Sequence, residues 1–139
     1  QYELHGAKTI PCVGSVGSQK LEEGEVYAVE TFASTGAGSV HDTPYCYIYR
    51  LIPVRSPVRF RGARQVLSIV QGKYKTLPFA TRWIAKEVSP LSLKLAIKEL
   101  TTSGLLFEYH VLSDRKGSVV AQSEETVLVK KDGREILTS

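Results

Sequence analysis

Two acidic side chains stand where an apolar strand would carry none. Glu30 closes the run Val26-Tyr27-Ala28-Val29 inside LEEGEVYAVETFASTGAG, Leu21 to Gly38, and a glycine-rich loop through Gly36 and Gly38 follows it. Glu124 interrupts VVAQSEETVLV, Val119 to Val129, with Glu125 at its side. A carboxylate at the inner end of a buried strand is costly unless something compensates its charge. Side chains alternate along a strand, so Glu124 and Glu125 point to opposite faces, and one can face inward while the other is solvated. Two strands that each deliver one inward carboxylate to a common sheet make a hard-metal site. Oxygen donors suit Mn, Mg, Fe or Co, and carboxylates bridge two ions well. The pattern alone leaves plainer roles open: Glu30 as a rim acid in water, and Glu124 as a charge that keeps an edge strand from aggregating.

The elements that must position these acids follow from the periodicity. QYELHGAKTIPC, residues 1 to 12, alternates loosely and reads as a strand passing His5; a polar loop, Gly14 to Gly24, leads into the strand that carries Glu30. Val40 to Val54 is rich in β-branched and aromatic residues and reads as a strand interrupted at Pro44. The period then changes. Ser56-Pro57 is a helix-start signal ahead of Val58, Ala63, Val66, Leu67 and Val70, and a short helix carries Phe79, Trp83 and Ile84. Ser89-Pro90 opens a third helix whose stripe Leu93, Ala96, Ile97 and Leu100 ends at Gly104. These stripes read as core. After them come LLFEYHVL, a turn at Asp114-Arg115-Lys116-Gly117, the strand around Glu124, and a hairpin at Asp132-Gly133. Three helices followed by a hairpin with a basic turn is the order of a winged helix-turn-helix unit, here set into a strand-rich body.

A chain of 139 residues, 42% hydrophobic and 23% charged, suffices for one domain with a core, or a domain plus a small lobe. No apolar run approaches membrane-spanning length and no signal peptide stands at the start, so neither a membrane nor a secreted setting is expected. Cys12 and Cys46 lack zinc-type spacing and favour a reduced, cytoplasmic context. Methionine is absent, and a Gln in second place would block removal of an initiator, so a fragment or a processed piece of a longer chain is expected. The net charge of +4 conceals a division: Arg50 to Gly104 holds eleven Lys and Arg against Glu87 and Glu99, or +9, leaving −5 elsewhere. A basic lobe in an acidic body suits a phosphate backbone as partner.

Four blocks carry a family likeness: LHGAKTIP at 4 to 11, EEGEVYAVETFASTGAG at 22 to 38, TLPFATRW at 76 to 83 and VVAQSEETVLV at 119 to 129. In this order they resemble the carboxy-terminal half of type 2 methionine aminopeptidases, most of all the short archaeal form. The resemblance covers essentially the whole chain and includes the lobe by which type 2 enzymes differ from type 1. It implies an α+β fold: the carboxy-terminal half of a pita-bread fold, from residues 1–40 and 115–139, with an inserted winged-helix-like basic lobe at 41–114.

The resemblance also implies a site. Enzymes of this family hold two divalent ions (Co, Mn, Fe or Zn) with two aspartates, a histidine and two glutamates. The glutamates match Glu30 and Glu124; the other three ligands lie upstream of Gln1 in the family pattern. His5 matches a histidine that contacts substrate beside the metals, and Tyr109 resembles a tyrosine at the mouth of the pocket. The implied reaction is hydrolysis of the first peptide bond, removing the N-terminal methionine from nascent polypeptides in the cytoplasm. With part of the ligand set, this chain alone is expected to be inactive without its amino-terminal half. The +9 lobe would face ribosomal RNA. Glu125 and Ser123 depart from the family's histidine and phenylalanine around the second glutamate, and Gly6-Ala7 reverses its usual Ala-Gly order. The alternative is a non-catalytic relative that binds RNA or the ribosome through the lobe; both available glutamates are retained, which favours the enzyme.

Overall fold

The computed structural model describes residues 8–12 and 19–138. Six strands and three helices occur among them: β1 (Val26–Ser34), β2 (His41–Leu51), α1 (Arg61–Lys73), β3 (Phe79–Ala80), α2 (Thr81–Ile84), α3 (Pro90–Thr102), β4 (Leu106–Ser113), β5 (Val120–Lys130) and β6 (Gly133–Ile136). They build two three-stranded sheets, ordered β1-β5-β6 and β3-β2-β4. The described residues divide into two compact units: Asp42–Leu112, and those up to His41 together with those from Ser113 onward.

The helical unit holds the core. Val66 and Val70 of α1, Ala96 and Leu100 of α3, Ile84 and Phe79 are fully enclosed, and Tyr49 and Leu51 of β2 pack onto them. The stripes legible at helical spacing are thus the buried faces, with two differences. Phe79 lies in β3, where it pairs with Tyr49, and Trp83 remains half-exposed, its ring tilted against Tyr74 at 5.7 Å. β2 runs unbroken through Pro44; its β3 side is paired only at Ile48 and Tyr49, so the proline lies away from that short ladder.

Helix termini show how local and tertiary signals divide the work. α3 begins as its sequence directs: the Ser89 hydroxyl accepts from the Ser92 amide at 3.4 Å and Pro90 occupies the first turn. It ends at Gly104, left-handed at φ 70°, where the Gly104 and Leu105 amides bond back to the Thr101 and Leu100 carbonyls. α1 behaves otherwise. It starts at Arg61 and not at Ser56-Pro57, and no side chain of its own caps it. Instead the Glu99 carboxylate, reaching from α3, accepts from the Arg59 amide at 2.7 Å and the Phe60 amide at 3.2 Å. Free amides and the positive end of the helix dipole make that a favourable place for an acid.

A hairpin between the LLFEYHVL strand and the Glu124 strand does not form. β4 lies beside β2, with the Ile52 amide donating to the Leu105 carbonyl at 2.9 Å, while β5 pairs with β1 on one side and β6 on the other. The Asp114–Gly117 turn therefore connects two sheets and does not fold one strand back on its neighbour. The β5–β6 hairpin does form, with Lys130 opposite Gly133 and a Lys130–Glu135 ion pair at 2.8 Å. At 8–12 the chain is irregular, and the rest of the strand expected over 1–12 lies outside the described residues.

Because Glu99 serves α1 from another helix, Glu99→Ala is expected to destabilise the helical unit by about 1–3 kcal/mol. Glu99→Gln, which keeps one acceptor, should cost less. Urea unfolding followed by helical circular dichroism reads both.

Candidate metal centre

β1 and β5 are antiparallel, with Val26 opposite Leu128 at one end and Ser34 opposite Val120 at the other, and in this register Glu30 lies directly opposite Glu124. The Val129 amide donates to the Glu25 carbonyl, and the Thr35 amide to the Val119 carbonyl. These bonds bracket the ladder and put its hydrogen-bonded pairs at the odd-numbered positions of β1. Glu30–Glu124 is therefore a non-hydrogen-bonded pair, the kind whose Cα atoms approach to about 4.5 Å and whose side chains are closest. Ala28, Phe32 and Thr126 share that face. Glu125 takes the opposite one, across from Val29, where its carboxylate accepts the Thr138 hydroxyl. Alternation thus separates the two adjacent acids as the sequence requires.

Two carboxylates directly opposite on one sheet face repel, and such a pair destabilises a ladder unless something neutralises it. Among the described residues the pair has one local side-chain partner: the Gln122 amide donates to Glu30 Oε2 at 3.1 Å. The donor set, two anionic oxygen ligands side by side, fits hard divalent cations. It is a partial set, since among the described residues no group of three or more His, Cys, Asp and Glu is assembled. The surrounding face is apolar and open: Val26 and Phe32 are each 56% exposed.

His5 lies outside the described residues. Lys8 is tied to the approach of β1: its Nζ lies 2.6 Å from Glu25 Oε1 and 3.0 Å from Glu22 Oε1. The Lys8 ammonium, followed by the Glu22 amide, holds the Glu25 carboxyl down at about 2. The stability contributed is present above the ordinary carboxylate range and lost as pH falls through about 2. Tyr109 belongs to the other unit, in β4. Its ring meets Phe107 edge-on at 5.1 Å, and its carbonyl accepts the Cys46 thiol at 3.3 Å. Cys12 and Cys46 are both free, and no helix among the described residues is long and apolar enough to cross a membrane.

Sequence reasoning missed two features. A surface cavity of about 540 Å³ opens in the helical unit among Tyr47, Ile48, Pro78, Phe79, Arg82 and Trp83. Its lining comes from segments whose pattern reads only as core. The second is Asp114, the buried charged residue of the described chain at 3% exposure. Its carboxylate accepts from the Ser34 hydroxyl at 2.6 Å, the Arg115 amide at 2.6 Å, the Gly38 amide at 2.9 Å and the Ala37 amide at 3.0 Å. The Ser34 hydroxyl, then these amides, hold the carboxyl far below the usual range. In sequence Asp114 reads as an ordinary turn residue.

No protein-family model matches the chain. Curated relatives do. The methionine aminopeptidase of Methanothermobacter thermautotrophicus is 39% identical over 135 residues, covering 97% of this chain and 45% of that protein. That of Pyrococcus horikoshii is 41% identical over 139 residues, covering 99% and 47%. Methionine aminopeptidase 2-1 of Aspergillus flavus is 36% identical over 140 residues, covering 99% and 31%. The chain belongs to the methionine aminopeptidase family, and it spans less than half the length of these relatives. A solved structure of a thermophilic Arx1 superposes with a TM-score of 0.69 at 23% identity, covering 91% of this chain and 33% of that one, a likeness of fold.

Relieving the carboxylate pair should leave a mark on stability. In metal-free protein Glu124→Gln is expected to strengthen the β1–β5 ladder by about 0.5 kcal/mol, the size of a cross-strand charge effect. A raised urea midpoint checks it; a lowered one would mean that the two acids do not repel.

Proposed function

We propose that the protein removes the N-terminal methionine from nascent polypeptides by metal-dependent hydrolysis of the first peptide bond. The observation that carries this reading is the opposition of Glu30 and Glu124 in a chain about 40% identical to methionine aminopeptidases over nearly its whole length. The fold that goes with it is half of a pita-bread domain, from residues 1–40 and 115–139, with a winged-helix-like lobe at 41–114. Glu30 and Glu124 would hold two divalent ions (Co, Mn, Fe or Zn), with Glu124 shared between them and the other ligands supplied by the amino-terminal half. When bound, such ions supply an activated water and Lewis-acid polarisation of the peptide carbonyl. His5 would orient the scissile amide and Tyr109 would line the pocket mouth. The apolar face beside the two carboxylates excludes water from their surroundings once covered, which strengthens their electrostatic hold on a cation. The site of action is the cytoplasm.

The full-length protein with Mn²⁺ or Co²⁺ is expected to release methionine from a Met-Ala-Ser peptide, and chelation or Glu124→Gln to abolish turnover. Failure of the metal-loaded protein to release methionine refutes the reading; full activity in Glu124→Gln refutes the role of that residue.

We further propose that the lobe contacts ribosomal RNA. Arg55, Arg59, Arg61, Arg64, Lys94 and Lys98 are all exposed on it, and such density of cations binds phosphate backbones by counterion release. Co-sedimentation with ribosomes should fall steeply with salt and be lost on charge reversal of Arg59, Arg61 and Arg64. Sedimentation indifferent to that reversal removes the proposal.

A further inference from the structure

Glu30 and Glu124 face each other only in one register of β1 on β5, and nothing nearby in sequence sets it. β1 and β5 are not joined by a tight turn, which would otherwise fix the pairing. A slip of one residue would carry Glu30 opposite Glu125 or Ser123 and send one partner's side chains to the wrong face. What stands at the open end of the ladder is Asp114.

We infer that Asp114 is a positioning residue that locks the β1–β5 register and so places Glu30 opposite Glu124. Its two oxygens bind both sides of the junction. On the β1 side they accept the Ser34 hydroxyl at the last residue of the strand and the Ala37 and Gly38 amides of the loop beyond. On the β5 side Asp114 accepts the Arg115 amide, opening the turn that delivers Val119. Thr35 and Val119 then close the ladder: the Thr35 amide donates to the Val119 carbonyl at 3.1 Å, and the Val119 amide to the Thr35 hydroxyl at 3.0 Å. The fit is tight, for a Cβ at Gly36 would overlap the Asp114 carboxylate. A buried carboxylate with several donors aimed at it has one low-energy placement, since moving it leaves both the charge and the donors unsatisfied. That placement fixes which residue of β1 meets which residue of β5.

The functional meaning of this lock rests on the reading of Glu30 and Glu124 as ligands, but its test involves neither metal nor turnover. Register can therefore fail while that reading stands, and the reverse. In non-hydrogen-bonded antiparallel pairs the Hα atoms approach closely, so Hα–Hα NOEs for Glu30–Glu124 and Phe32–Gln122 report the register. In the full chain, Asp114→Ala is expected to remove these NOEs and to speed exchange of the Val29, Thr31 and Ala33 amides at least tenfold, with α1 and α3 amides unchanged. Asp114→Asn, keeping one acceptor, should fall between Asp114→Ala and wild type. Ser34→Ala should be milder still and remains readable if the Ala variant does not fold. NOEs at wild-type intensity with unaltered β1 exchange overturn the assignment. So does an equal loss of protection in β1 and α3, which would make Asp114 a residue of general stability.

Discussion

One antiparallel pairing governs what this molecule can do. β1 and β5 meet although their residues stand about ninety positions apart, as the 92-residue separation of Thr31 and Ser123 illustrates. Every chemically suggestive feature of the sheet follows from the residue-by-residue match of these strands: the facing carboxylates, the diversion of Glu125 to the far side, and the apolar strip of Val26, Ala28 and Phe32 around Glu30. Hydrophobic pattern supports the match, but both faces of this sheet are largely open in the chain, so burial constrains register less than in a covered sheet. Polar interactions at the strand ends carry more of the specification than usual, with Glu25 and Val129 at one end and Ser34, Thr35, Asp114 and Val119 at the other.

How far the sequence revealed this depends on distance along the chain. Glu30 and Glu124 were legible as chemistry because each breaks an apolar strand, and the alternation of Glu124 and Glu125 needs only the period of two. The core stripes of α1 and α3 were legible for the same local reason, as were the Ser89 cap and the Gly104 terminus. What escaped was supplied from elsewhere. The start of α1 is set by Glu99, forty positions away from Arg59, so Ser56-Pro57 looks like a start while the helix begins only after Phe60. LLFEYHVL and VVAQSEETVLV flank a turn and look like a hairpin, yet each finds its partner in a strand encountered much earlier. Asp114 carries no local mark at all; its role exists only once a loop 76 positions upstream is folded against it.

The charge distribution fits this division of labour. The helical unit concentrates cations on exposed helix faces around an apolar core, while the sheet that bears the facing glutamates belongs to the acidic remainder. The two Lys–Glu contacts near β1, from Lys8 to Glu22 and Glu25, place a cation at the approach to the sheet, and among the described residues no ion pair reaches Glu30 or Glu124.

The order of the units along the chain has a kinetic consequence. The unit from Asp42 to Leu112 is contiguous, whereas the sheet of β1, β5 and β6 is assembled from segments on either side of it. β2 and β4, the first and last strands of the contiguous unit, are neighbours, and the Ile52–Leu105 bond sets them antiparallel. Once that unit has folded, the chain segments leading to β1 and β5 are held near one another. The loop that the β1–β5 pairing must close then falls from the 84 positions between Thr35 and Val119 to about a dozen, lowering its entropic cost by about 2 kcal/mol. Variants that slow collapse of the contiguous unit should therefore delay formation of the sheet that carries the carboxylates.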